Sequence, residues 1–232
     1  ELTSYEFGTK NTFLGNTLRL NADLFYYDYE GYPEGYNLRI GGGPPIFTVM
    51  PVPLRVLGLE VDMEYLITMY DKISLTAGYQ DIKITDYPSA ITWSDGSVTD
   101  GSYAAMLDQL PGHPKTKATI GYDHTFTLGD GSILAPRAEL VYTGGHYLSQ
   151  MTYLMTDLGE KPYNHQSAYM LANIGATWTS ADQKYSATAY VRNALDEEYK
   201  AGVSLVSNPP LSAIGVTPGD PRTFGAMFSI KF

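Results

Sequence analysis

The stretch Leu57-Gly-Leu-Glu-Val-Asp-Met-Glu-Tyr65 decides the fold class, because apolar residues alternate in it with glycine or acidic residues. Successive side chains of a β-strand point to opposite faces, so this period of two predicts a strand. Its odd-numbered positions form an apolar face, whereas Glu60, Asp62 and Glu64 share the other face. Three carboxylates in a row need water or charged partners, since burying unpaired charge is costly. The strand therefore has one apolar and one hydrated face.

The same period recurs along the whole chain, in nine segments of which the first is the weakest. The segments cover residues 4–13, 18–27, 57–65, 73–80, 117–123, 134–143, 172–178, 185–192 and 223–232. Several of the apolar faces end in an aromatic residue: Tyr26, Tyr65, Tyr79, Tyr142 and Trp178. Aromatic rings at the ends of alternating segments are typical of strands that cross a membrane.

The connections between these segments alternate in length. Short turns are expected near residues 14–16, 70–72, 129–131 and 180–183, and long connections rich in Gly and Pro near 30–54, 86–113, 149–165 and 194–221. Short periplasmic turns and longer outer loops are the pattern of an outer-membrane barrel. A soluble β-sandwich is the alternative, but it has no reason to place every long loop at one end.

The sequence thus predicts an all-β fold, an antiparallel meander of about nine strands that forms part of a transmembrane β-barrel. Single-chain bacterial barrels have an even number of strands, so we expect the chain to be incomplete at its N-terminus. The first strand would then expose an unpaired edge.

Composition narrows the function. The net charge of −10 provides no basic face for phosphates and argues against nucleic acid as a partner. There is no Cys, which excludes disulfides and thiolate metal sites. The chain has no run of about 18 apolar residues, the length that a membrane-spanning helix needs. Aromatic residues make up 13% of the chain, including 20 Tyr, as expected for rings at membrane interfaces.

Three motifs resemble those of TonB-dependent outer-membrane receptors. In Tyr190-Val-Arg-Asn-Ala-Leu-Asp-Glu-Glu-Tyr199, the residues Asn193, Asp196 and Tyr199 match a stretch near the end of these barrels, although Ala194 stands where the family usually has Leu. Pro221-Arg-Thr-Phe-Gly225 opens a final strand that ends in Phe, and Ser4-Tyr-Glu-Phe-Gly-Thr-Lys10 is similar to a mid-barrel strand of the family. Their order and spacing extend the resemblance over nearly the whole chain.

The resemblance implies a full-length barrel of about 22 strands with an N-terminal plug domain in its lumen. Residues 1–232 would be the C-terminal portion, with the plug domain and the earlier strands absent. The barrel would lie in the lipid of the bacterial outer membrane, and the missing N-terminal part would engage a TonB-type energy-transducing protein. The implied function is energy-coupled uptake of a scarce nutrient, first of all an iron–siderophore or similar metal chelate, captured by extracellular loops. A passive porin-like or structural barrel is the alternative.

The final strand also resembles the signal by which barrels are recognised for assembly. The residues that carry this resemblance are Thr223, Gly225, Phe228, Ile230 and Phe232. A C-terminal strand with an apolar outer row can pair by strand addition with the barrel-assembly machinery. An ordinary barrel strand would have the same pattern, and the two interpretations are compatible.

A set of charged residues is expected to face the lumen, where the set would either line a hydrated wall or contact the plug domain. The set comprises Arg19, Glu60, Asp62, Glu64, Arg137, Glu139 and Arg192. Basic and acidic members could pair across strands.

Ligand selectivity is expected in the long loops, chiefly 86–112 and 194–221, with the strands as a scaffold. The candidate ligand-binding residues are Trp93, Asp95, Asp100, Tyr103, Tyr147 and Tyr153, and a solvated acidic loop is the alternative for them. The four His lack metal-site spacing and no G-x-S-x-G occurs, so we expect no catalytic residues, no metal site and no cofactor.

Overall fold

The computed structural model describes residues 1–39, 45–86, 90–92, 98–100, 110–149, 164–208 and 211–231. Strands account for most of them, and the one helix within these ranges is a 3-10 turn, Leu14–Asn16. The strands are β1 Leu2–Phe13, β2 Leu18–Arg39, β3 Pro45–Leu66, β4 Asp71–Ile84, β5 Ala90–Thr92, β6 Val98–Asp100, β7 Thr116–His124, β8 Phe126–Thr127, β9 Ile133–Thr143, β10 His146–Tyr147, β11 His165–Gln166, β12 Tyr169–Thr179, β13 Tyr185–Arg192, β14 Lys200–Asn208, β15 Leu211–Pro218 and β16 Thr223–Ile230.

The main sheet is an antiparallel meander. Its nine long strands lie in the order β1-β2-β3-β4-β7-β9-β12-β13-β16, and the short β8 pairs with β9. The predicted all-β meander is therefore confirmed. The six remaining strands form the hairpins β5–β6, β10–β11 and β14–β15, each within a connection between neighbouring strands of the meander.

The sheet registers place the charged and apolar residues on opposite faces. On β2 and β3, Arg19 lies opposite Glu64 and Asp23 opposite Glu60, whereas Leu24 lies opposite Leu59. We call these the polar face and the apolar face. Large side chains of the apolar face stay exposed, with Phe7 at 76% and Phe228 at 63%. An apolar surface of this extent has to be covered, and lipid is the cover that fits its alternation with a polar face.

The height of the apolar face also suits a membrane. On β2 it runs from Leu18 to Tyr26, which spans roughly 20–27 Å for a strand rise of about 3.4 Å per residue, depending on tilt. An outer-membrane barrel has an apolar band about 25 Å tall. Within the described residues, no helix is long and apolar enough to cross a membrane.

The predicted loop at 30–54 is wrong over most of its length. β2 and β3 continue as a paired hairpin out to Arg39 and Pro45, with one irregularity between Tyr29 and Tyr32. The pairing of β1 ends opposite Tyr29 and that of β4 ends opposite Leu54, so the outer hairpin has only two strands. Prolines there can leave their missing donor on an unpaired edge, which explains why a proline-rich segment still forms strands.

The short turns are confirmed as tight connections. Gly15 and Gly131 have φ values of 65° and 82°, in the left-handed region that glycine adopts at little cost. In the turn before β9, Asp130 accepts hydrogen bonds from the Ser132 amide at 2.9 Å and hydroxyl at 2.6 Å. These bonds lower the pKa of the Asp130 carboxyl. Asp130 therefore has a structural role in a turn, as its sequence context indicated.

Candidate functional site

Four aromatic side chains form a row along the polar face of β2. Phe25 stacks on Tyr27 with ring centroids 5.0 Å apart, Tyr27 meets Tyr29 edge-on at 6.4 Å, and Tyr29 meets Tyr32 edge-on at 5.5 Å. The first three are spaced two residues apart and so share one strand face. The irregularity between Tyr29 and Tyr32 adds a residue, which returns Tyr32 to the same row.

The aromatic row lines a cavity of about 460 Å³. Leu54, Val56 and Ile82 of the neighbouring strands complete its wall, and Leu110 and His113 close it from the end of the connection between β4 and β7. This volume lies within the range of small-molecule sites. Tyr32, Leu54 and Ile82 of this lining lie at the end of the sheet where the long connections begin.

The charged groups around the cavity are acidic. Among its described lining residues are Glu6, Asp23 and Glu60, and no Lys or Arg. The Tyr27 hydroxyl donates to a carboxylate oxygen of Glu6 at 2.8 Å, which fixes both side chains. An adjacent hollow of about 400 Å³ shares Phe25 and Glu60 with the cavity and includes Lys117 and Asp62.

Gly58 leaves the space that the Phe25 ring occupies. A Cβ atom on Gly58 would lie 2.1 Å from the Phe25 Cζ atom, well inside van der Waals contact. Gly58→Val should therefore displace the ring and destabilise the barrel by about 1–3 kcal/mol, the usual effect of overpacking. Urea unfolding of the full-length protein in lipid would measure it. Gly129→Ala is the control, because a Cβ there meets nothing within 4 Å; equal effects of the two substitutions would contradict the account.

Between the cavity and the short turns, the polar face carries a network of ion pairs and hydrogen bonds. Arg19 pairs with Glu64 at 2.9 Å, and the Thr76 hydroxyl donates to Asp62 at 2.9 Å. Arg137 bridges Asp123 at 3.2 Å and Glu139 at 3.0 Å. These pairs are partly exposed, so each contributes little to stability, and their effect is to hold the charges along the wall.

The seven residues predicted to face the lumen lie on the polar face, as the registers of their strands show. Arg192 differs from the other basic members because its guanidinium lies 5.1 Å from the ring centre of Tyr190 on its own strand. Contact between this set and a plug domain stays a prediction.

Asn193 organises the base of the last long connection, a role that its motif alone did not reveal. Its side-chain nitrogen donates to the carbonyls of Glu197 at 2.9 Å and Asp220 at 3.1 Å, and its side-chain oxygen accepts from the Glu197 amide at 2.9 Å. Its φ is 47°, a left-handed conformation that Asn tolerates better than most residues. Asp196 completes the corner with an ion pair to Arg222 at 2.8 Å.

Removing the Asn193 side chain should destabilise this corner. Asn193→Ala deletes three hydrogen bonds of a residue that is 3% exposed, and we expect a cost of about 2–4 kcal/mol, at about 1 kcal/mol for each bond lost. Unfolding of the full-length protein by urea in lipid is the measurement. Asn21→Ala, at a wall position opposite Asp62, is the control and should cost under about 1 kcal/mol. Equal costs for the two would refute the assigned role.

Tyr199, the last residue of the motif, has a packing role. Its ring stacks on Tyr169 with centroids 4.4 Å apart and planes 12° apart, and it covers Gly219, where a Cβ would lie 2.1 Å from the ring. The motif from Asn193 to Tyr199 therefore anchors the β14–β15 hairpin to the sheet. Its described contacts position a loop.

Most of the predicted ligand-binding residues lie outside the described residues, namely Trp93, Asp95, Tyr103 and Tyr153. The backbone of Asp100 lies in β6. Tyr147 lies in β10, opposite His165, and the two rings meet edge-on at 5.2 Å. Ligand binding by these six residues stays a prediction. The aromatic row on β2 is a further candidate for ligand binding, which the sequence analysis did not identify because it placed selectivity in the loops.

The predicted assembly signal lies in β16, apart from Phe232, which is outside the described residues. Gly225 lies under the ring of Tyr190, and Phe228 stacks on Tyr185 with centroids 6.3 Å apart. Phe228 and Ile230 are on the apolar face, and Thr223 and Gly225 on the polar face. Recognition of this strand by assembly machinery stays a prediction.

Within the part of the chain that the structure describes, no group of three or more His, Asp or Glu side chains is arranged to hold a metal ion.

The sequence matches a family model described as TonB dependent receptor-like, beta-barrel, over residues 1–194. No curated protein sequence matches the chain at a significant level.

Solved structures share the fold. The ferric yersiniabactin uptake receptor FyuA from Yersinia pestis superposes with a TM-score of 0.70 at 17% identity, over 100% of this chain and 30% of that protein. The ferric-catecholate import receptor Fiu from E. coli gives 0.67 at 21% identity, over 100% and 27%. The copper transporter OprC gives 0.66 at 17% identity, over 100% and 31%. The chain thus spans between 27% and 31% of the length of these proteins.

Proposed function

Because the chain belongs to the family of TonB-dependent receptor-like β-barrels, whose members are outer-membrane receptors and not enzymes, we propose that the full-length protein takes up a scarce nutrient by an energy-coupled mechanism. Its ligand is an iron–siderophore or similar metal chelate. Residues 1–232 form the C-terminal portion of the barrel, and the remainder of the protein supplies the earlier strands, a plug domain and the segment that engages a TonB-type partner.

The names of the three structurally similar proteins include their ligands, and these ligands support the proposed ligand class. FyuA takes up ferric yersiniabactin, Fiu imports ferric catecholates and OprC transports copper. All three ligands contain a transition metal. Their identities to this chain are at most 21%, so their names support a class of ligand rather than one compound.

The aromatic cavity on β2 is the observation that carries the proposal. It combines stacked rings, a volume of about 460 Å³ and a position at the end of the sheet from which the long connections arise. Rings of this kind bind the apolar or planar parts of a small ligand, and nearby polar groups fix its orientation. Binding of the ligand in this cavity is the step that comes before the plug rearrangement that drives transport.

Uptake by whole cells tests the proposal. A strain that lacks the full-length protein should lose accumulation of a radiolabelled ferric chelate, and so should a strain that keeps the protein but lacks the TonB-type partner. Val61→Leu, a conservative change on the apolar face, is a control that should retain uptake.

The same experiment distinguishes energy-coupled uptake from the alternative, a passive porin-like barrel. Diffusion through a pore does not require the energy-transducing partner. Uptake that persists without the partner would refute energy coupling and support the passive barrel.

A further inference from the structure

The long connections of the chain carry nearly all of its net charge. The connections at residues 30–54, 86–113, 149–165 and 194–221 contain twelve carboxylates and three basic residues, a formal charge of −9 out of the total of −10. The rest of the chain is close to neutral, with thirteen carboxylates and twelve basic residues. The segment 86–113 alone has four Asp and no Lys or Arg. A ligand approaching from this side therefore first meets a negative potential.

The cavity beyond these connections has charge of the same sign. Its carboxylates are Glu6, Asp23 and Glu60, and its described lining contains no Lys or Arg. Glu34 lies close enough to His113 for their charges to interact, so the one basic ring of the lining also has an acidic neighbour. Lys117 lies in the adjacent hollow, where Asp62 accompanies it.

The aromatic walls of the cavity favour the binding of ligand groups that are planar or positively charged. Phe25, Tyr27, Tyr29 and Tyr32 present stacked and edge-on rings, whose faces attract planar groups and positive charge. A site and an entrance that share one sign of charge raise the local concentration of ligands of the opposite sign and lower that of ligands of the same sign.

We infer that the aromatic cavity on β2 binds a metal chelate that has no net negative charge, and that it discriminates against polyanionic chelates. This inference rests on the proposed uptake function and specifies its ligand class. Among ferric complexes it favours neutral or cationic trihydroxamates over the trianionic tris-catecholates.

Binding to the purified full-length receptor tests the inference with two probes, a neutral ferric trihydroxamate and a trianionic ferric tris-catecholate, followed by quenching of intrinsic fluorescence. The neutral complex should bind at least about tenfold more tightly at low salt, and the difference should shrink as salt screens the charges. The double variant Glu6→Gln/Glu60→Gln should strengthen binding of the tris-catecholate about three- to tenfold and leave the trihydroxamate within about twofold.

The matched control is Glu64→Gln, which removes a carboxylate from the same strand face but outside the cavity. It should change neither affinity by more than about twofold. Tighter binding of the tris-catecholate to the unmodified receptor, or no gain from the double variant, would overturn the charge preference while the uptake function stands. If neither complex binds and no metal chelate enters cells in a partner-dependent way, the proposed function itself is refuted.

Discussion

Deletion of residues 90–108 from the full-length protein should lower the affinity of whole cells for the ligand by at least about 100-fold, which is the effect of losing one or two strong contacts. This segment contains β5 and β6 and leads into Leu110 and His113, which close the cavity on β2. Its sequence includes the candidate binding residues Trp93 and Tyr103. Loss of the segment removes these side chains and shortens the connection that leads to Leu110 and His113 at the cavity wall. Titration of labelled ferric chelate on intact cells is the measurement.

Replacement of the same residues by a Gly/Ser linker of equal length is the matched control for loop length. It should lose affinity as the deletion does, because the side chains are missing in both. Trypsin resistance of the barrel in isolated membranes verifies assembly of each variant. Unchanged affinity with an assembled barrel would mean that the connection only shields the barrel mouth, and selectivity in the loops would be refuted.

The meander could be predicted from the sequence because its signal is local. Each strand alternates between lipid and a hydrated face, as the row from Leu57 to Tyr65 shows, so period two is visible in any short window. Turn residues such as Gly15 and Gly131 marked where strands end. Nearest-neighbour pairing then followed from the short turns, and across the long connections from the topology of an outer-membrane barrel.

The outer hairpin of β2 and β3 could not be predicted from the same signal. Beyond Tyr29 the hairpin extends past its neighbours, and its prolines resemble loop residues. They are tolerated because the hairpin has two unpaired edges, a property of the assembled sheet rather than of the segment. The aromatic row depends on this hairpin, because Tyr32 returns to the row only after the irregularity between Tyr29 and Tyr32.

The candidate site was only partly visible in the sequence for a related reason. The parity of Phe25 and Tyr27 along β2 matches that of Arg19 and puts them on the polar face, but the closure of the cavity by Leu110 joins segments that lie far apart in the chain. Asn193 matched a motif, yet its bond to the carbonyl of Asp220 forms only after the β14–β15 hairpin has folded back. Long-range contacts of this kind leave no local period in a sequence.

Val61→Arg should destabilise the barrel in a bilayer by about 2–4 kcal/mol, the cost of a cation on the lipid face near the midplane. Val61 lies on the apolar face between Ala22 of β2 and Ala77 of β4, four residues from both Leu57 and Tyr65 at the ends of its row. An arginine there has no carboxylate in its row to pair with and a long way to reach the headgroups, so its charge stays in hydrocarbon. Reversible urea unfolding of the full-length protein in phospholipid vesicles measures the change.

The control for this substitution is Thr119→Arg, at nearly the same height but on the polar face, where it lies opposite Thr76. A cation on that face meets water and the carboxylates of Asp62 and Glu60 in the adjacent hollow, so it should cost less than about 1 kcal/mol. Comparison of the two variants shows whether the destabilisation comes from contact of the apolar face with lipid or from a general intolerance of arginine in the sheet. If Val61→Arg unfolds at the same urea concentration as the unmodified protein while Thr119→Arg is destabilised, the polar face is the one in contact with lipid, and the assignment of the two faces has to be reversed.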